Sequence, residues 1–513
     1  MNRRSVKLKL NVLKCAVMLA AHFSCVAPLF AQDVTFRTGD NAVIVSGLFV
    51  GFNGQFATVL TTGGAVTFRT RNMICEGETC PDLENYTPLL RLVGAQQMAD
   101  LLLPALIEVY ARDNGWRVRE NAHGFRMIQT DGTPAFEISI QVSDADSAFR
   151  AFLDHEFDAL LSMRELGRSE LDQGFAAGLG RLNIARQGRI VALDALVPVT
   201  SPLSGLRSVS LAEVTQAFAG RGKFETHLST DQSGQLQGFE DRFMRPFGLS
   251  LAVPDVFHSD QDSLIGSVEQ SVTGLSLLSF SATRNTQPLT LTGPCGLGTD
   301  ARFLTLKSED YPLTFPMYLY LPQRVQHPQV VNFLDWMRSP SAQLVIRRTG
   351  FVDLAAVPIP LSDQGDRLAN AVLNAGPEVS LAELQRMIRT LTPRIRMSST
   401  FRFEPGSTRL DGQSRSNVMQ LAQAVRDGQF SGRELMFIGF SDGRGPALAN
   451  RDLSAARANA VRRDLERALS GVLPDNVVIE TEAFGEALPM ACDDSIWGQQ
   501  INRRVELWVR DAN

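Results

Sequence analysis

Gly439-Phe440-Ser441-Asp442-Gly443-Arg444-Gly445 is the segment of this 513-residue chain with the clearest chemical content. It reads as a strand ending in a turn and a short loop, with a helix beginning near Asn450. The turn presents Asp442 and the helix presents Arg457. A fixed carboxylate and a fixed guanidinium can face one small zwitterionic ligand. The carboxylate pairs with an ammonium, and the guanidinium forks onto a carboxylate as lysine would not. Two simpler readings use the same residues: Asp442 caps its own Gly-rich loop, or Arg457 makes a surface ion pair. Gly485-Glu486 and Asn502-Arg503-Arg504-Val505-Glu506 follow downstream, and Glu486 is read as structural.

These residues need a frame. Thr400 to Phe403 and Glu434 to Gly439 read as strands, as do Val477 to Phe484 and Arg504 to Val509. Gly412 to Arg426 has helical periodicity through Val418, Leu421, Ala422 and Val425. Leu453 to Leu469 repeats the pattern through Ala456, Ala460, Leu465 and Leu469. The expected architecture is an α/β sandwich with helices on one face. The four separated segments occur in the order found in the OmpA-like C-terminal domain, which residues 397–513 resemble. The resemblance implies binding to peptidoglycan through the diaminopimelate of its stem peptide. Asp442 would take the ammonium and Arg457 the carboxylate, with Ser441, Asn450 and Arg503 lining or supporting the pocket. The family motif carries His-Thr-Asp where this chain has Phe440-Ser441-Asp442, so a hydroxyl is kept and an imidazole lost.

The whole chain bounds these readings. Its length calls for two to four domains, and 44% hydrophobic with 20% charged residues is ordinary globular composition. The formal charge is −5, and five basic residues with no acid lie in the first 31, so the remainder is near −10. That argues against a nucleic-acid partner. Residues 1–31 have the basic start, apolar run and small terminal residue of a secretory signal, with cleavage expected after Ala31. An uncleaved anchor is the other reading. The cysteines beyond it are Cys75, Cys80, Cys295 and Cys492, an even set that suggests disulfides in an exported chain. Zinc is disfavoured because no second close pair stands beside Cys75 and Cys80 and the histidines are scattered, so no metal is expected. Cys75 and Cys80 form the local pair, with Gly77 easing the turn. Cys295 and Cys492 remain, one in each large module, and are expected to bond across the domain interface.

Residues 32–86 are rich in Val, Phe and Thr between Gly turns, which predicts a small β-rich module with no catalytic constellation. Residues 90–360 alternate strands and helices, the pattern of α/β layers whose strand-end loops hold a ligand. Strands are expected at Leu90 to Val93, Phe136 to Val142 and Val191 to Val199. Helices are expected at Met98 to Asn114, Ala145 to His155, Ser210 to Ala219 and Pro328 to Arg338. The ordered series resembles two-lobed periplasmic solute-binding proteins of the phosphate-binding, PstS-like type. Its pieces include the Gly94 turn, Asp158 to Arg164, Ala192 to Val199, Asp231-Gln232-Ser233-Gly234-Gln235 and Gly350-Phe351-Val352. The resemblance implies an oxyanion held by Gly94, Ala95 and Gln96, by Arg164, and by Ser233, Gly234 and Gln235. It also implies an ABC transporter as partner. Two hydroxyls of the family pattern are missing, at Ala95-Gln96 and at Gln235. Phosphate, another small solute and no ligand are three open readings.

Residues 361–396 read as a connector, a spacer rather than a domain, with a short helix at Leu381 to Leu391 capped by Ser380. No nucleophile elbow, P-loop, paired-histidine motif or dinucleotide fingerprint stands out. Neither an enzyme nor a cofactor is expected. The composite reading is a multidomain α/β binding protein of the periplasm, associated with peptidoglycan and the outer membrane. The other reading is a structural envelope tether whose solute-binding fold has lost its ligand.

Overall fold

The computed structural model describes residues 33–84, 86–230, 233–373, 375–404, 406–474 and 476–512. The signal expected at residues 1–31 lies outside them, as do Asp231, Gln232 and the side chain of Ser233. No helix among the described residues is long and apolar enough to cross a membrane.

The chain divides into two compact units. The described part of the first covers residues 33–51 and 57–81. Its five strands (Val34–Thr38, Ile44–Phe52, Phe56–Thr61, Gly64–Arg69 and Met73–Glu76) form one sheet in the order fourth, third, second, first, fifth. Phe36 is fully buried, with Phe68 edge-on at 5.1 Å and Phe49 at 6.4 Å. So few residues bury a small core, and the Cys75–Cys80 disulfide fastens the last strand to its following turn.

The second unit opens on a long curled sheet. Its centre is the strand Gly188–Thr200, buried from Ile190 onward as its near-continuous apolar run predicts. One stretch of that strand pairs with Thr314–Tyr320 and its end pairs with Gly274–Ser279. Beyond Thr314–Tyr320 the sheet continues through Ala159–Ser162, Leu89–Gly94 and Pro134–Val142, and on the other side through Glu225–Ser229 and Val256–His258. Two apolar cores lie along it. The helices Leu103–Asp113, Ala145–Leu153, Leu211–Phe218 and Pro328–Trp336 occupy the predicted stretches. Asp144 caps the second through Ser147 N at 3.0 Å, and Ser210 with Glu213 closes a capping box on the third.

The C-terminal sheet runs in the order Pro358–Ile359, Ile395–Phe401, Arg504–Asp511, Arg433–Phe440, Val478–Ala483. Only the last pair is parallel. Strand alternation explains its two faces. Leu435, Phe437, Val505, Leu507 and Val509 pack on the helices Gly412–Arg426 and Ala447–Ala468. Met436, Ile438, Phe440 and Trp508 point the other way and are covered by residues from 361–396.

That second cover corrects two expectations. Residues 361–396 are not a spacer: they form the helices Gly365–Leu373 and Leu381–Leu391, and Ala371, Leu384, Met387 and Leu391 are buried against the sheet. Helices therefore lie on both faces. The physical reason is the strand pattern itself. A strand apolar at Met436, Ile438 and Phe440 as well as at Leu435 and Phe437 needs a cover on each side.

The two large modules are fastened together within this unit. Cys295 and Cys492 form a disulfide with Cα atoms 5.6 Å apart, the cross-module bond expected from the sequence. Arg396 Nη1 reaches Asp310 Oδ2 at 2.9 Å, and Arg402 Nη2 donates to Glu309 O at 2.6 Å. Val357 N donates to Ser398 Oγ at 3.0 Å.

Candidate functional site

The C-terminal site begins where Arg433–Phe440 ends. A Cβ on Gly439 would lie 2.1 Å from Ser454 O, so only glycine lets the helix Ala447–Ala468 approach this closely. The contact sets Ser454 and, one turn on, Arg457 beside the strand end. Ser441 N donates to Gly485 O at 2.8 Å, fixing the turn. Ser441 Oγ is buried and has no hydrogen-bond partner among the described residues.

Asp442 does two jobs. Its Oδ1 accepts from Arg444 N at 3.1 Å, which is the loop cap, and its Oδ2 accepts from Arg503 Nη1 at 2.6 Å. A carboxylate has about four acceptor directions, so two contacts leave room for a ligand ammonium. Arg457 is 3% exposed, and its Nε and Nη1 are buried without a hydrogen-bond partner. Its guanidinium lies over the Phe403 ring, 5.3 Å from the centroid. Burial lowers its pKa, and Arg503 lowers it further against the opposing pull of Asp442. Buried donors left unmade cost about 1–3 kcal/mol each, which a ligand carboxylate would remove.

Asn450 does not point at that pair. Its Nδ2 donates to Glu486 Oε2 at 2.6 Å, which fastens the helix start to the Gly485 turn. Three residues missed in the sequence complete the rim. Asp493 Oδ2 accepts from Gly443 N at 2.7 Å, Glu378 Oε2 accepts from Ala447 N at the helix start at 2.7 Å, and Phe403 covers Arg457. Glu378 lies in the stretch read as a spacer. The other two are joined to the site only by long-range contacts, which no spacing reveals.

The solute-binding set converges differently. Gly94 has φ +139°, and a Cβ there would lie 2.0 Å from Leu161 O. Ala95 N donates to that same oxygen at 3.1 Å, and Gln96 is exposed. Gly234 sits against Met163, and Ser233 opens the helix Ser233–Phe239. So the three segments meet. Their cation is already engaged: Arg164 Nη1 and Nη2 fork onto Glu170 at 2.8 and 2.7 Å, and its Nε donates to Gln237 Oε1 at 3.0 Å. Gln235 is buried and donates to Asp194 Oδ2 at 3.1 Å. Asp194, fully buried and not singled out in the sequence, also accepts from Ser279 Oγ, Ala195 N and Phe280 N. Burial pushes its carboxyl up.

A cavity of 380 Å³ lies between the two modules, lined by Arg164 and Phe315 on one side and by Phe403, Trp497 and Arg503 on the other. Glu309 lines it too. Burial, with Asp411 next, raises the Glu309 carboxyl from 4.5 to about 8. The folded chain therefore holds a proton there that the unfolded chain has lost between those values, so stability falls as pH rises through the window. Melting of Glu309→Gln and wild type at pH 5 and pH 9 checks this. The variant should gain on wild type at pH 9, and an unchanged difference would refute it.

No curated protein matches the chain. Among solved structures, an ABC-type phosphate transport receptor from Vibrio cholerae is 13% identical, covering 52% of this chain and 99% of that one, at a TM-score of 0.40. PstS from Borrelia burgdorferi is 12% identical over 52% of this chain and 98% of that one, at a TM-score of 0.37. The peptidoglycan-associated lipoprotein of Burkholderia pseudomallei is 27% identical over 22% of this chain and 89% of that one, at a TM-score of 0.20. The model of the OmpA family matches residues 402–503.

Proposed function

We propose that this protein binds peptidoglycan in the periplasm of a cell with an outer membrane, and that the diaminopimelate of the stem peptide is the group recognised. Asp442 takes its ammonium and Arg457 its carboxylate. Arg503 holds Asp442 in place, and Ser441 supplies a hydroxyl to the same ligand. The observation that carries this reading is the buried Arg457 guanidinium with two unmade donors beside a carboxylate that retains free lone pairs. The reading is of a binding protein, not an enzyme. Co-sedimentation of the full chain with purified sacculi tests it, and recovery entirely in the supernatant would reject it.

For residues 90–360 the engaged state of Arg164 favours the tether reading over a phosphate receptor. An oxyanion arriving at Gly94, Arg164 and Gly234 would meet a guanidinium already neutralised by Glu170. The module would then serve as a rigid wall beside the anchor, with no transporter to supply. A receptor at a hundredfold excess of ligand over Kd gains about 2.7 kcal/mol. We expect no shift in melting temperature with inorganic phosphate at millimolar concentration, and no calorimetric heat. Saturable binding of phosphate would restore the receptor reading.

A further inference from the structure

The cavity between the modules has a property that neither module has alone: it runs up to the Asp442–Arg457 site. Arg503 lines the cavity and bonds Asp442 at 2.6 Å, and Phe403 lines the cavity and lies over Arg457. Its 380 Å³ lies within the range of small-molecule sites, about 300–1,000 Å³.

The lining indicates the kind of occupant. Phe403 and Trp497, both half-buried, line it from one module, while Phe315 and Tyr318 of the other are buried, with Arg242 over the first ring and Tyr320 stacked on the second. Between them are hydrogen-bonding groups without a strong excess of either charge. Gln413, at the start of the helix Gly412–Arg426, is 4% exposed, and its Oε1 has no hydrogen-bond partner. Its Nε2 is held by Asn417 Oδ1 at 2.9 Å, so the open acceptor belongs to an oriented amide. Glu309 has φ +57°, a left-handed conformation that costs a residue with a Cβ on the order of 1 kcal/mol or more and that concentrates at ligand sites. Its position is held by Arg402 Nη2 on its carbonyl at 2.6 Å and by Asn417 Nδ2 on its Oε1 at 3.3 Å.

Aromatic faces suit the C–H face of a pyranose ring, whose hydrogens meet the electron-rich π surface. An open amide oxygen and a carboxyl suit its hydroxyl and acetamido groups. The wall carries both signs, Arg164, Arg242, Arg402 and Arg503 against Glu165, Asp241, Glu404 and Asp411, so an uncharged polar occupant meets no strong net charge there. We propose that the inter-module cavity is a carbohydrate subsite for an N-acetylated amino sugar of the polymer whose peptide reaches Asp442 and Arg457. The inference rests on the peptidoglycan reading given above. It assigns the solute-binding-like module a role in wall recognition, as one side of the sugar site.

Three probes separate the two readings on the full chain: a diaminopimelate tripeptide, the free N-acetylglucosaminyl-N-acetylmuramic acid disaccharide, and the disaccharide–tripeptide. Calorimetry should show the disaccharide–tripeptide binding about tenfold more tightly than the tripeptide, which is about 1.4 kcal/mol. Trp497→Ala should bring that ratio close to one. Gln413→Met should do the same; it removes the open acceptor together with the Nε2 bond to Asn417 Oδ1, so a melting curve on the same sample serves as the fold control. Equal affinity of wild type for the two peptide probes would overturn the sugar subsite and leave the peptide site standing. Binding of the disaccharide with none of the tripeptide would support the subsite and reject the peptide reading. Failure of all three probes would overturn both.

Discussion

Arg457→Ala should lose most of its binding to sacculi and yet melt no lower than wild type. Each hydrogen bond from a charged donor contributes about 1.5–3 kcal/mol, so losing even one bond of the fork weakens binding by about ten- to a hundredfold, and losing both weakens it further. The stability half follows from Arg457 having no carboxylate within ion-pair distance among the described residues, with Nε and Nη1 buried and unpartnered there. Alanine removes a desolvated cation together with its unmade bonds, and gives up the contact with Phe403. Arg457→Lys should not restore binding, because an ammonium cannot fork onto a carboxylate. Asp442→Asn keeps an acceptor for Arg444 N while removing the charge that faces the ligand ammonium, and should also bind weakly. Sedimentation with sacculi and a melting curve on the same samples make the check. An Arg457→Ala protein that sediments like wild type would defeat the assignment.

How much of this could be read in the sequence depended on the range of the contacts. The strand Arg433–Phe440 was legible because a short continuous apolar run is followed by a Gly-rich turn. The helix Gly412–Arg426 was legible from its period. Arg503 and Asp442 were singled out in separate segments, and the structure joins them at 2.6 Å. The state of Arg164 was not. Glu170 is only six residues away, but that spacing sets no contact. The fork forms because the helix Arg168–Ala176 starts with Glu170 bonding back to Gly167 N at 2.7 Å, which turns its carboxylate toward Arg164. The helices in 361–396 were undervalued because a short amphipathic helix has little meaning until the face it covers is known. Met436, Ile438 and Phe440 of the strand Arg433–Phe440 supply that face, about 45 to 70 residues downstream. Phe403 and Asp493 were missed for the same reason: each reaches the site across the fold.

Glu506→Gln should be the most destabilising single change in the C-terminal domain, by about 3–5 kcal/mol. Glu506 is fully buried, and its oxygens accept from Arg367 Nη2, from Arg504 Nε at 2.7 Å and from Trp508 Nε1 at 3.0 Å. Arg396 Nε lies 3.4 Å away. Burial alone would raise this carboxyl, but Arg367, Arg396 and Arg504 together hold it well below the usual carboxylate range. A glutamine keeps the shape and removes the charge, leaving Arg367 and Arg504 buried without a carboxylate, while Arg396 retains Asp310 at 2.9 Å. The consequences reach both neighbours of the sheet. Arg367 belongs to the helix Gly365–Leu373, and Arg396 is the residue that ties the sheet to Asp310 of the other module. The exposed pair Arg433–Asp511, at 2.6 Å, is the control: Asp511→Ala should cost less than about 1 kcal/mol because solvent screens it. Chemical denaturation of the two variants decides. If Glu506→Gln lost no more than Asp511→Ala, the buried carboxylate would not be what holds the three arginines in the core.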